Sequence, residues 1–238
     1  MTPPTPTMTS SLPESDHKPL PTANIAASTF RLIPSRFPPV AAFDTVTTAA
    51  DLEAVMELEG WTNDRLVAER AARLPREQWV YGIPNSSVVM ASFLHVADTG
   101  MRFNSGQLGA WYAGLALKTS IAEVAHHLRR EARFRKLPEM RIQYRSYTAR
   151  LAEDYTDDRN AQATRPELYA ADDYSASQTF GEGVRAAGGS GIVYDSLRHQ
   201  GGTNVVAFRP REILDVTQGA HYEITAPVIG KVIARTLR

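Results

Sequence analysis

The stretch RFNSGQLGAWYAGLALKTSIAEVAHH, from Arg102 to His127, holds one arginine, one tyrosine in a short apolar run and one glutamate just inside an expected helix start. Glu123 has two readings. Ser120-Ile-Ala-Glu123 fits a capping box, with Ser120 at the N-cap and Glu123 at the third helical position, an arrangement worth about 1 kcal/mol. A helix that starts just after a strand also places a carboxylate at the rim of a sheet, where it can face a cleft. The local pattern taken alone favours the cap. By the same standard Arg102 reads as a surface residue of a loop and Tyr112 as half-buried strand packing.

Other candidate groups carry less. His126 and His127 are adjacent, so on a helix they point about 100° apart. No third ligand lies nearby in sequence, and a metal site is not expected. His95 and His199 stand alone and read as structural or solvated. Gly181-Glu-Gly-Val-Arg-Ala186 formally matches G-x-G-x-x-A, but a dinucleotide fingerprint needs a strand before it and a tight turn into a helix. Here the match falls inside an expected helix and is rejected. Gly188 to Gly191 is only a flexible turn, and neither a nucleophile elbow nor a phosphate-loop lysine motif is present.

The elements that must position these groups follow from periodicity. Residues 1–24 are rich in Pro, Thr and Ser and read as a disordered tail, leaving one ordered domain over 25–238. From Ser28, STFRLIPSRFPPVAAFD is an extended entry segment shaped by its prolines. Residues 49–74 read as helix, a break near Gly60, and helix again. SSVVMASFLHV reads as a strand, and so does GAWYAGLAL, where Trp111, Ala113 and Leu115 alternate with Tyr112 and Gly114. SIAEVAHHLRREARFRK is helical, with a stripe of Ile121, Val124, Ala125 and Leu128. MRIQYRSYTARLAED is a long strand, and YSASQTFGEGVRAAGG is a helix stopped at Gly188-Gly189. GIVYDSL and TNVVAFRP are short strands, and HYEITAPVIGKVIARTL is a last strand or pair. No βαβ repeat appears. The expected class is α+β, a single domain with a mixed, mostly antiparallel sheet.

Composition narrows the function. The 238 residues are 43% hydrophobic and 22% charged, as in an ordinary globular protein. Lys+Arg and Asp+Glu are both 26, so the basic excess that phosphate neutralisation demands of a nucleic-acid binder is missing. With no cysteine, thiolate metal sites, disulfides and cysteine nucleophiles are excluded. No apolar run reaches the ~20 residues of a membrane span. The N-terminus lacks the pattern of a secretory signal, so a cytoplasmic location is expected.

Three stretches, in order, resemble the RES domain family, named for its arginine, glutamate and serine. They are FRLIPSRFPP, MASFLHVADTGMRFNSGQLGAWYAGLALKTSIAEVAHH and SGIVYDSLRHQGGTNVVAFRP, and the resemblance spans about Ser28 to Pro210. It implies a fold similar to ADP-ribosyltransferase toxins and a role as the toxin of a bacterial toxin–antitoxin pair. It implies that NAD is the substrate, split at the nicotinamide–ribose bond with water or phosphate as acceptor, and that no metal is used. Depletion of NAD would arrest growth. It also implies a helix-turn-helix antitoxin as partner, covering the active site, and leaves a homodimer open.

Carried over, the family's arginines fall on Arg31 and Arg102, its tyrosine on Tyr112, its glutamate on Glu123 and its serine on Ser196. Glu123 is then the catalytic charge, stabilising an oxocarbenium-like ribose. Arg102 serves both catalysis and binding. Arg31, Arg102, Tyr112 and Ser196 bind NAD: the arginines clamp the pyrophosphate, Tyr112 stacks and supplies a hydroxyl, and Ser196 donates to ribose or phosphate. Where many relatives have proline before the serine, this chain has Asp195, a carboxylate unfavourable to an anionic ligand if it points inward. The rival functions are an ADP-ribosyltransferase acting on a protein and a catalytically silent interaction module, with a nucleic-acid-binding module third.

Overall fold

The computed structural model describes residues 20–37, 41–48, 50, 51, 54 and 65–237. These residues form nine strands in one sheet: β1 (Thr22–Asn24), β2 (Thr29–Pro34), β3 (Trp111–Gly114), β4 (Glu139–Leu151), β5 (Asp154–Asp157), β6 (Gly191–Asp195), β7 (Thr203–Ala207), β8 (Ile213–Pro227) and β9 (Ile233–Leu237). Their order is β1-β5-β6-β7-β3-β2-β4-β8-β9, and among the described residues β5–β6 is the one parallel pair. The α+β, mostly antiparallel expectation holds. β1 lies within the segment expected as tail and pairs with β5 through Ala23 and Tyr155, whereas residues 1–19 lie outside the described residues.

The described residues include the α-helices α1 (Arg65–Arg73), α2 (Ser86–Leu94), α3 (Leu117–Phe134) and α4 (Ser175–Ala186); α2, α3 and α4 pack on the sheet, and α1 packs on α2. One face of the sheet carries Trp111, Ala113, Val193, Val205 and Ala207 into a core shared with Met90 and Phe93 of α2. The opposite face carries Ile192, Tyr194 and Val206, joined by Tyr112 and by Phe180 of α4. Beside them, Ala125 and Leu128 of α3 pack on Tyr144 and Ile224. The period-2 alternation read in GAWYAGLAL is therefore real: Trp111 and Tyr112 face opposite layers.

SSVVMASFLHV is not a strand but α2, and its apolar run has a physical explanation. The helix is buried on nearly every side, including Ser86, Ser87, Val89, Met90, Phe93 and Leu94. A helix without a solvent face has no polar stripe, so its composition cannot be told from that of a buried strand. Its N-terminal N–H groups are satisfied from far away. The Asp44 carboxylate accepts from the amides of Asn85 (2.7 Å) and Ser87 (2.8 Å) and from both serine hydroxyls. The break expected near Gly60 lies outside the described residues, and the helix after it is α1.

One local event opens the molecule. β2 and β3 pair at Phe30 and Gly114 and then part, so Arg31 and Leu32 have no partner on Ala113 and Tyr112. α3 lies over this fork and packs on β2, β3, β4 and β8. Ser120 holds it there: its hydroxyl donates to the Phe30 carbonyl (2.7 Å) and accepts from the Gly114 amide (3.2 Å). A Cβ on Gly114 would sit 2.7 Å from that hydroxyl, which explains a glycine at this position.

Candidate active site

The fork is the mouth of a cleft of about 260 Å³, lined by Arg31, Arg102, Tyr112, Glu123, His126 and Asn204 among others. Five elements supply these groups. Arg31 comes from β2, Arg102 from the tight loop closed by the Met101–Asn104 bridge, Tyr112 from β3, Glu123 from α3 and Asn204 from β7.

Glu123 is not a helix cap. α3 starts at Leu117 after Ala116, no side chain caps it, and Ser120 is already inside the helix. Glu123 thus stands in the second turn, away from the free N–H groups a cap would serve. Its Oε1 instead accepts from the Ser196 hydroxyl at 2.6 Å and from the Asn204 side-chain amide at 2.7 Å.

Ser196 is placed differently from the expectation that it donates to a ligand. Its Oγ accepts from the amides of Arg198 (3.1 Å) and His199 (3.0 Å), and its one proton goes to Glu123. A hydroxyl has one donor and two acceptor sites, so this one is fully used. Asp195, next to it, turns its carboxylate to the Asn160 amide at 2.7 Å.

The Tyr112 hydroxyl is also committed. It donates to Asn104 Oδ1 (2.8 Å) and accepts from the Phe103 amide (2.9 Å), and burial raises its pKa further above the ordinary tyrosine range. It therefore braces the loop that carries Arg102, and only its ring is offered to the cleft. Asn104, fully buried, completes the brace by donating to the carbonyls of Ser105 and Leu108. On the other side of this loop, Gly181 of α4 lies so close to Phe103 that an added Cβ would overlap its carbonyl oxygen. The rejected G-x-G-x-x-A match is thus a helix whose first glycine serves close packing.

The two cationic groups are held by neutral partners. Arg31 donates from Nη1 to the Tyr112 carbonyl (3.0 Å) and lies 4.8 Å over the Trp111 ring, while its buried Nε has no partner. Burial pulls its guanidinium down to about 10, which leaves it charged at neutral pH. Arg102 donates from Nη1 to the carbonyls of Leu168 (2.9 Å) and Ala170 (3.0 Å) and sits 4.7 Å over the Tyr174 ring. Among the described residues no carboxylate pairs with either. His126 lines the cleft beside Arg198. Burial, then the nearby charges of Arg198, His127 and Arg130, lowers its pKa to about 4.

All five residues expected from the sequence meet here, four lining the cleft and Ser196 behind Glu123. Reading the sequence missed Asn204 and Asn104. A buried amide at the start of the β-branched run Val205-Val206 is the signal that points to Asn204, because a polar group in such a strand needs a partner.

Comparison with known proteins gives the family of the chain. The uncharacterized protein y4oC of Sinorhizobium fredii (strain NBRC 101917 / NGR234) is 36% identical over 87 residues, which is 32% of this chain and 33% of that protein's length. A chain in the crystal structure of the M. tuberculosis MbcT-MbcA toxin-antitoxin complex superposes with a TM-score of 0.49 at 12% identity, covering 85% of this chain and 86% of that one. The RES domain model matches residues 70–226, which include Arg102, Tyr112, Glu123, Ser196 and Asn204, with Arg31 outside the matched range. With more than half of its 238 residues matched, the chain belongs to the RES domain family.

Proposed function

We propose that this protein cleaves NAD at the bond between nicotinamide and ribose. The observation that carries the reading is a cleft-lining carboxylate, Glu123, held by two donors, in the same cleft as two arginines that no carboxylate among the described residues pairs with. As the bond breaks, its electron pair leaves with nicotinamide and positive charge develops on the ribose. The Glu123 carboxylate, held on Oε1, presents Oε2 to that charge. A preorganised group of this kind contributes ~10²–10³ in rate. Water then adds to the ribose carbon and gives up a proton, or phosphate adds in its place.

Arg31 and Arg102 match the pyrophosphate, because a guanidinium binds phosphate oxygens by parallel charge-assisted hydrogen bonds. Arg31's buried, unpartnered Nε is a donor for which a phosphate oxygen is the fitting acceptor. The Tyr112 ring offers a stacking face. Membership of the RES family supports a wider role as a growth-arresting toxin acting on the cytoplasmic NAD pool. Its antitoxin would be a helix-turn-helix protein that covers the cleft.

The test is nicotinamide release from NAD by purified protein, with and without inorganic phosphate, beside Glu123→Ala. Release by the wild type and its loss in the variant support the reading, and dependence on phosphate selects phosphorolysis over hydrolysis. If folded wild-type protein, free of antitoxin, releases no nicotinamide under either condition, the reading fails. Transfer of labelled ADP-ribose to a protein in a cell lysate would then take its place.

A further inference from the structure

We infer that Asn204 is a positioning residue for the reaction proposed above, acting with Ser196 to hold the Glu123 carboxylate aimed at the ribose. The argument is one of donor and acceptor counting. Ser196 Oγ already accepts two backbone N–H groups, so its proton can only be donated, and it points at Glu123 Oε1. The Asn204 side-chain amide donates to the same oxygen at 2.7 Å. Two donors converging on one oxygen occupy both of its lone pairs and fix the orientation of the carboxylate. Because both bonds fall on Oε1, the carboxylate is held in place, and Oε2 is the oxygen left to meet the ribose.

Asn204 is well built for this task. It is only 4% exposed although it lines the cleft, and it sits on a strand rather than a loop. β7 pairs with β3 on one side and β6 on the other, with Asn204 opposite Gly114 and Tyr194. The glycine opposite keeps the path from β7 across to α3 clear of a side chain. An interior strand of a nine-stranded sheet holds a donor to a fixed geometry, as a preorganised site requires.

The experiment uses the full chain. Asn204→Ala should lower kcat for nicotinamide release about tenfold to a hundredfold, the usual effect of losing a hydrogen bond to a charged group, with KM for NAD within about twofold. Asn204→Asp, which keeps the shape but replaces the donor with a second carboxylate, should lose more. A kcat within about twofold of the wild type in Asn204→Ala, or a loss expressed only in KM, overturns the inference while leaving NAD cleavage intact. A second arm does not depend on activity. In a cycle of Asn204→Ala, Glu123→Ala and the double variant, the shifts in urea midpoint should be non-additive, the double variant losing less than the singles together. Additive shifts overturn the inference even if the wild type cleaves no NAD.

Discussion

The cleft holds charges that the protein answers in opposite ways. At Glu123 the protein supplies the partners: a hydroxyl and an amide, from β6–β7, converge on one carboxylate oxygen. At Arg31 and Arg102, carbonyls and aromatic rings orient the guanidinium groups, and among the described residues no carboxylate pairs with them. A charge satisfied from within is fixed in place and ready to act on a transient charge. A charge left without a counterion is a place for an anionic ligand, and it costs stability until that ligand arrives. On the function proposed above, Glu123 would serve the reaction and the two arginines the binding of its anionic substrate.

The largest effect should come from Glu123→Gln. It keeps the shape and an oxygen for both donors but removes the charge, so nicotinamide release should fall ~10²–10³ with little change in thermal midpoint. A variant that keeps most of its activity would show that orientation, not charge, matters at this end. Next, Arg31→Met should weaken NAD binding about ten- to a hundredfold by calorimetric titration. It removes a buried cation without a counterion, so its denaturation midpoint should hold or rise. A clear fall in midpoint would mean that Arg31 is structural.

Ser196→Ala should behave in the opposite sense. It leaves the Arg198 and His199 amides and Glu123 short of a partner, and unfolding in denaturant should show a loss of about 1–3 kcal/mol. Tyr112→Phe should cost about 1–2 kcal/mol by unpairing Asn104 Oδ1 and the Phe103 amide. Its kinetic effect should appear mainly in KM, through Arg102. A change in kcat alone would return the hydroxyl to the chemistry.

The smallest effect concerns pH. Burial and the neighbouring cations lower the pKa of His126 from an ordinary 6.5 to about 4 in the folded protein, so between those values the unfolded chain binds the extra proton. Stability should therefore fall as pH drops from about 6.5 to about 4 and change no further on this account below that. His126→Gln should flatten that part of a midpoint-against-pH curve. An unchanged slope would place the acid sensitivity elsewhere.

Local pattern was enough for much of the frame. The alternation around Tyr112, the long strand β4, the stop of α4 at Gly188 and the helical character of α3 are all short-range properties, set by side-chain period and by glycine's tolerance of positive φ. The order of the three family-like blocks was enough to single out Arg31, Arg102, Tyr112, Glu123 and Ser196. Tertiary structure decided what those residues do. α2 is a helix because Asp44, more than forty positions earlier, satisfies its N-terminal amides. Glu123 is a held carboxylate rather than a cap because Ser196 and Asn204, 73 and 81 positions away, reach its Oε1. The Tyr112 hydroxyl is taken by nearer groups, Asn104 and the Phe103 amide, because their loop folds back on β3. A hydrogen-bonding group's type is written in the sequence, but which partner takes its proton depends on how the chain folds back on itself.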